Sequence, residues 1–330
     1  MRARWQELRS TVPGSFLAAL ALAAGFLAFV AWDQSHWWRV KADYGFGWLV
    51  PLLTLYVVHD RWPKIVAALA DCASAGSARA AGVSRWLLRL LIAAMLLCGV
   101  LMFLLGAFYR AGAGTSQPGT LAITLGAGGI LLPLLFINAP EAASPARAGF
   151  FDDARVRLTG LFLFPVLVWL VSAPMVSAVE TQLSLFLLRK VVAVVALCFD
   201  FVSIPIEQQG NVLVLPNGSV GVEDACSGIR SLTACLFAGS FLAAVFLETL
   251  WKKIVLVACA LGFAFLTNIL RSLFLTVWAH RHGPDALGGR VHDVAGYAVL
   301  GLTVTGLLLL LPLLNLRSPR KIPGLAEEQA

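Results

Sequence analysis

Long apolar stretches alternate with short polar segments along most of the chain. A helix needs about 20 apolar residues to cross a hydrocarbon core about 30 Å thick. The stretches that approach or reach this length predict eight membrane-spanning helices, at roughly 15–32, 46–59, 86–108, 119–138, 158–176, 228–247, 254–278 and 293–315. We therefore predict an all-α polytopic membrane protein with about eight transmembrane helices, of which the second is the shortest.

The longest segment between two predicted spans, residues 177–227, has patterns of its own. Its part "LSLFLLRKVVAVVALCFDF" has Arg189 and Lys190 in the middle of an apolar run, which predicts an amphipathic helix lying in the membrane interface. Further on, "NVLVLPNGSVGVE" alternates apolar residues around a turn signal. This alternation predicts a small β-hairpin with Asn217 and Gly218 at its turn.

The composition agrees with a membrane protein, and the distribution of charge predicts its orientation in the membrane. The chain is 59% hydrophobic and 13% charged, whereas soluble domains carry about a quarter charged residues. With the N-terminus placed in the cytoplasm, the inner segments carry about twice as many Lys and Arg as the outer ones. We therefore predict cytoplasmic termini, an uncleaved first span and an extracytoplasmic segment 177–227. The excess of Lys and Arg in the cytoplasmic segments explains the net charge of +7, so we expect no nucleic-acid partner.

Polar residues from three distant segments are predicted to share the extracytoplasmic side. Cys226 precedes the sixth span in "GVEDACSGIRSL", Asn268 and Arg271 lie in the seventh, and His292 opens the eighth. An arginine inside a span costs about 2.5–3.5 kcal/mol, which points to a function unless the side chain extends to the surface. Taken singly, Cys226 suits ordinary packing, and His292 suits a helix entrance. Their coincidence at one depth favours a site.

A cysteine, a histidine and an arginine together suit acyl transfer. A thiolate is an effective nucleophile, and a histidine can accept its proton and protonate a leaving amine. An arginine beside the scissile carbonyl can stabilise the developing oxyanion. The residues predicted to support this chemistry or to bind substrate are Glu223, Asp224, Ser227, Gly228, Arg230, Asn268 and Asp293. Glu223 and Asp224 also suit a solvated surface. No cofactor and no metal site are expected.

Two other functions stay open on the residues alone. A transporter could use Asn268 and Arg271 as a solute site, although no pair of inverted repeats is visible. A metal-dependent hydrolase could use His280, His282 and His292. However, no HExxH helix is present, and residues two apart do not share a helical face.

The same residues resemble the exosortase/archaeosortase family of membrane cysteine transpeptidases. The family pattern is an acid before "ACSG" at a span entrance, then "NxxR" in the next span, then a histidine before a glycine. This chain has "EDACSGIRSL", "NILR" and "VHDVAGY" in that order, with a family-like "DYGFGWLVPLLTLYVV" earlier. The resemblance covers about residues 44–300. We predict one domain over 1–330 with its core at 44–315, and a disordered cytoplasmic tail at 316–330.

The resemblance implies both a mechanism and a substrate. Cys226 would be the nucleophile, Arg271 the second catalytic residue and His292 the third. The substrate would be the C-terminal sorting signal of an exported protein, a short motif followed by a transmembrane helix and a basic cluster, of the PEP-CTERM type in bacteria. The enzyme would hold a thioester and pass the protein to an amine acceptor. It would lie among the lipids of a bacterial or archaeal cytoplasmic membrane, with its active site on the extracytoplasmic side.

Overall fold

A computed structural model describes residues 12–142, 144–210, 212–216, 218–221, 229–287 and 290–315, without the side chains of 220, 221, 292 and 293. The α-helices are α1 Gly14–Val40, α2 Val50–Asp60, α3 Trp62–Ala73, α4 Gly82–Ala113, α5 Gln117–Ile137, α6 Ala154–Ser172, α7 Ser177–Phe201, α8 Ile229–Phe246, α9 Leu250–His282 and α10 Arg290–Asn315. Two 3₁₀ helices span Ala42–Leu49 and Pro284–Leu287. The strands are β1 Ala78–Ala80, β2 Ala146–Ala148, β3 Glu207–Gln209, β4 Val212–Leu215 and β5 Gly218–Gly221.

The predicted fold class is confirmed. Within the described ranges, eight helices are long and apolar enough to cross a membrane: α1, α4, α5, α6, α7, α8, α9 and the part Val294–Asn315 of α10. The segment predicted to be an interfacial helix belongs to α7, which begins at Ser177 and reaches 25 residues. Its length and composition therefore also suit a membrane crossing. The predicted tail, 316–330, lies outside the described residues.

The chain divides into two compact units, Met1–Gln182 and Leu183–Ala330. In the first, the predicted second span is a broken helix made of the first 3₁₀ helix and α2. The backbone N–H of Met175 donates to the Tyr44 hydroxyl at 2.9 Å, just past the C-terminal end of α6. At the other end, the Arg61 guanidinium donates to the Leu161 carbonyl at 2.7 Å. Residues 42–61 therefore run antiparallel to α6, although no single helix covers the whole segment.

Glycines bring the backbones of α4 and α5 into direct contact. A Cβ atom on Gly126 would lie 2.3 Å from the backbone nitrogen of Phe103, and one on Gly99 would lie 2.5 Å from the carbonyl carbon of Gly129. Small residues of this kind allow close helix packing in membranes, where van der Waals contact replaces the hydrophobic effect as the driving force. The α4–α5 hairpin therefore depends on these positions staying small.

Buried aspartate side chains make ionic contacts at both ends of the first unit. Near the C-terminal end of α1, Asp33 pairs with Arg110. At the opposite end of α4, the buried Asp153 accepts hydrogen bonds from the backbone of Ala80 at 3.0 Å and from Arg155. Burial acts to raise the pKa of Asp153, but these hydrogen bonds outweigh it and lower the pKa. This contact holds the short parallel pair of β1 and β2 against the start of α6.

The second unit contains the predicted hairpin, but Gly218, which was predicted at its turn, belongs to strand β5. Leu215 pairs with Gly218, so Gly218 begins β5, and Asn217 lies outside the described residues. A further strand, β3, pairs antiparallel with β4. Gly218 has a φ of 134°, and a Cβ atom there would lie 2.8 Å from Cγ of Pro284. The hairpin therefore packs on the connection between α9 and α10.

We predict that Gly126→Ala destabilises the protein. The added methyl group must force α4 and α5 apart, and overpacking of this kind costs about 1–3 kcal/mol. Thermal unfolding of the purified protein in detergent measures the effect. Gly25→Ala in α1 is the matched control, because a Cβ atom there meets nothing within 4 Å. Equal melting temperatures of the two variants would contradict the packing described.

Candidate active site

Arg271 lies inside α9 and reaches towards α10. Helix α9 continues to His282, one turn past the predicted end at 278, so Arg271 is about three turns from the helix end. The hydroxyls of Thr267 and Thr303 are 3.1 Å apart, which fixes the register of α9 against α10. In an antiparallel pair with this register, residue 271 is level with residue 299.

The Arg271 guanidinium lies nearer the N-terminal end of α10 than this register alone would place it. A Cβ atom built on Gly296 would be 3.7 Å from Nη2 of Arg271 and 3.9 Å from its Cζ. The side chain therefore extends by almost one turn towards the C-terminal end of α9. The guanidinium therefore lies beside Gly296. A methyl-sized side chain at position 296 would make only an ordinary contact with it.

A small cavity of about 180 Å³ joins Arg271 to the start of α8. Arg230, Ser231 and Ala234 of α8 line one side, and Gly296 and Tyr297 of α10 are among the residues that line another. Two arginine residues therefore border the same cavity. Donors of this type bind anionic groups and stabilise negative charge that develops on a carbonyl oxygen.

Asn268 adds a buried amide one turn before Arg271 on α9. The residue is 3% exposed, and its Oδ1 atom has no hydrogen-bond partner among the described residues. Buried polar atoms are normally paired. Asn268 therefore offers an acceptor within the helix bundle of this unit.

The structure brings some of the predicted site residues together and leaves others undescribed. Arg230 and Arg271 border one cavity, and Asn268 lies a turn away on α9. Position 292 belongs to the first turn of α10, four residues before Gly296, and so shares a helical face with it. The side chains of His292 and Asp293 lie outside the described set, as do the residues Glu223, Asp224, Cys226, Ser227 and Gly228 between β5 and α8.

Of the residues that line this cavity, only Arg230 and Arg271 were among the predicted site residues, and Gly296 is one of those that were missed. The available signal was a glycine inside a predicted transmembrane helix, in "VHDVAGY". Glycine weakens a helix, so its presence inside one often has a packing or functional reason. Here the glycine lies beside the Arg271 guanidinium, at a distance that would still admit a methyl group.

Two of the three histidines considered for a metal site, His280 and His282, make aromatic contacts. His282 stacks on Trp278 with ring centroids 4.2 Å apart, and His280 meets the edge of Phe199 at 6.4 Å. Among the residues that the structure describes, no group of three His, Cys, Asp or Glu side chains could hold a metal ion. The metal-hydrolase alternative therefore gains no support from this part of the chain.

Comparison with known proteins identifies the family. A family model described as transmembrane exosortase matches residues 37–310. Because the match covers most of the chain, the protein belongs to the transmembrane exosortase family, and the predicted resemblance is confirmed. No curated protein and no solved structure matches the chain. Exosortases are multi-pass membrane transpeptidases that act on proteins bearing a sorting signal.

We predict that Gly296→Leu lowers the processing of a sorting-signal-bearing protein at least tenfold. A leucine side chain would occupy the space beside the Arg271 guanidinium and displace it, whereas Gly296→Ala adds only an ordinary contact and should stay close to wild type. Gly301→Leu is the matched control, because it lies on the same helix with nothing within 4 Å of its Cβ position. Similar losses in Gly296→Leu and Gly301→Leu would contradict this assignment.

Proposed function

We propose that this exosortase is a cysteine transpeptidase that cleaves the C-terminal sorting signal of exported proteins through a thioester on Cys226. The observation that carries the proposal is the cavity shared by Arg271, Gly296 and the first turns of α8. Cys226 precedes Arg230 by four residues in the sequence, and His292 precedes Gly296 by four. Arg271 thus lines this cavity. Cys226 and His292 each lie four residues before a residue that lines it.

The proposed reaction begins with deprotonation of the thiol. His292 accepts the proton of Cys226, and the thiolate sulfur attacks the carbonyl carbon of the scissile peptide bond. The C–N bond then breaks, the proton passes from His292 to the leaving amine, and the exported protein stays on Cys226 as a thioester. An acceptor amine attacks the thioester carbonyl, forms a new amide and returns the thiol. Water in place of the amine would give hydrolysis.

Arg271 is proposed to stabilise the oxyanion that forms on the attacked carbonyl. A guanidinium is always charged and presents several donors in a rigid plane. Its position within a membrane helix lowers the surrounding dielectric constant, which strengthens the interaction with a developing negative charge. Arg230 lines the same cavity and adds a second positive group. Asn268, Ser227, Gly228 and the acids Glu223, Asp224 and Asp293 are proposed to support the site or bind the peptide.

The site is proposed to open on the extracytoplasmic side, with both termini in the cytoplasm. The distribution of Lys and Arg in the sequence supports this orientation. The substrate would be a PEP-CTERM-type tail, consisting of a motif, a transmembrane helix and a basic cluster. The chain would act as one domain with its core at 44–315, in a bacterial or archaeal cytoplasmic membrane.

The first test replaces the proposed nucleophile. Cys226→Ala should abolish processing of a tailed reporter protein, a loss of at least 10³-fold, because no other group supplies the thioester. The readout is the loss of the tail, seen as a gel shift, with membrane accumulation measured in parallel. Cys98→Ala is the control, since Cys98 is an exposed cysteine within α4. Normal processing by Cys226→Ala would reject the thiol nucleophile and favour the metal-dependent hydrolase alternative.

A second test separates the charge of Arg271 from its geometry. We predict that Arg271→Lys keeps the protein in the membrane but lowers kcat by about 10²-fold, as expected for loss of an oxyanion donor. A lysine keeps a positive charge but lacks the planar set of donors. Processing kinetics with the tailed reporter give kcat and KM separately. An unchanged kcat with a raised KM would assign Arg271 to substrate binding instead.

A further inference from the structure

Arg85 and Arg89 lie one turn apart near the start of α4, and both are exposed. Residues four apart lie on the same side of a helix, and we call these two arginines the Arg85–Arg89 pair. Trp86 and Leu90, which follow them in the sequence, are 62% and 53% exposed. Helix α4 is long and apolar enough to cross a membrane. Its exposed apolar side chains therefore face lipid, and the pair lies on the same exposed surface.

The packing of α4 on α5 gives the depth of the pair in the membrane. A Cβ atom on Gly126 would meet Phe103 across the two antiparallel helices. Arg89 precedes Phe103 by 14 residues, so it lies level with a position 14 residues after Gly126, just past the C-terminal end of α5. Helix α5 has 21 residues, about the number that crosses a hydrocarbon core. Arg89 therefore lies where the hydrocarbon ends, and Arg85 lies about 6 Å farther out.

Neither arginine of the pair is bound to an acid within the described part of the chain. The Arg85 Nε atom donates to the Ala80 carbonyl at 3.3 Å, and Arg89 makes no hydrogen bond or ion pair with a described residue. The first turn of α4 contains no acidic residue. By contrast, Arg110 and Arg157 of the same unit each pair with an aspartate. Because like charges four residues apart repel each other, the pair favours an anion between them.

The depth of the pair determines which anion can reach it. At the boundary of the hydrocarbon core, a membrane supplies the phosphodiester groups of its lipids, and a guanidinium binds phosphate through two parallel N–H···O bonds. A phosphatidylcholine headgroup also carries a cation, which the pair repels, whereas phosphatidylglycerol carries the phosphate charge alone. The exposed Trp86 agrees with this depth, because tryptophan is enriched at membrane–water interfaces.

We propose that the Arg85–Arg89 pair binds the phosphate of an anionic phospholipid and so anchors the start of α4. Arg85 is bonded to Ala80 of β1, which pairs with Ala148 of β2. The lipid would therefore contact the first unit where α4 meets the β1–β2 pair. This inference goes beyond the proposed function and is independent of the chemistry proposed for Cys226.

Lipid titration of the purified protein tests the proposal. Native mass spectrometry in a neutral detergent measures the affinity for phosphatidylglycerol, which Arg89→Gln should weaken at least about tenfold, because charge-assisted hydrogen bonds are lost. The variant should fold, since Arg89 bonds to no described residue. Arg189→Gln on α7 is the matched control, because Arg189 is also exposed and unpaired among the described residues, and it should stay close to wild type. Equal losses in the two variants would overturn the proposal.

The wild-type protein tests which anion the pair recognises. Phosphatidylcholine should bind at least about fivefold more weakly than phosphatidylglycerol, and inorganic phosphate should not displace the bound lipid. Equal affinities for the two lipids would overturn the proposal, because arginines that only extend into water do not distinguish headgroups. Displacement by inorganic phosphate would also overturn it, since the site would then recognise a soluble anion. These measurements need no reporter protein, so their outcome does not depend on the proposed function.

Discussion

The arrangement of the second unit depends on one constraint, the placement of a guanidinium inside a membrane-spanning helix. A charge there is costly unless polar groups or a cavity surround it. Three helices meet this demand around Arg271. Helix α10 presents Gly296 to the guanidinium, α8 brings its first turns to the same cavity, and the pair Thr267–Thr303 fixes the register.

The sequence predicted the helices better than the contacts between them. Long apolar runs determined α1, α4, α5, α6, α8, α9 and α10, because a membrane helix satisfies its own backbone. The break between the first 3₁₀ helix and α2 has a signal that the predicted span did not use, since Pro51 lies in the first turn of α2, where proline is favoured. The ion pair Asp33–Arg110 was not predictable, since its partners lie on different helices. Strands β1 and β2 are too short to leave a pattern.

For the candidate site, motifs in the sequence predicted the residues, and the structure describes the surroundings of three of them, Arg230, Asn268 and Arg271. The motifs "ACSG", "NILR" and "VHDVAGY" gave the family, which the match over residues 37–310 confirms. They could not reveal that Arg230 and Arg271 line one small cavity, which suits the reacting carbonyl.

The central claim is that the reaction passes through a thioester on Cys226, and the most direct test is to isolate that intermediate. The purified enzyme would be incubated with a tailed reporter without any acceptor amine, and then analysed by intact-mass and peptide mass spectrometry. The account predicts an adduct of the cleaved reporter that maps to Cys226 and is released by hydroxylamine. Cleavage of the reporter with no such adduct, or with an adduct on a different residue, would contradict it.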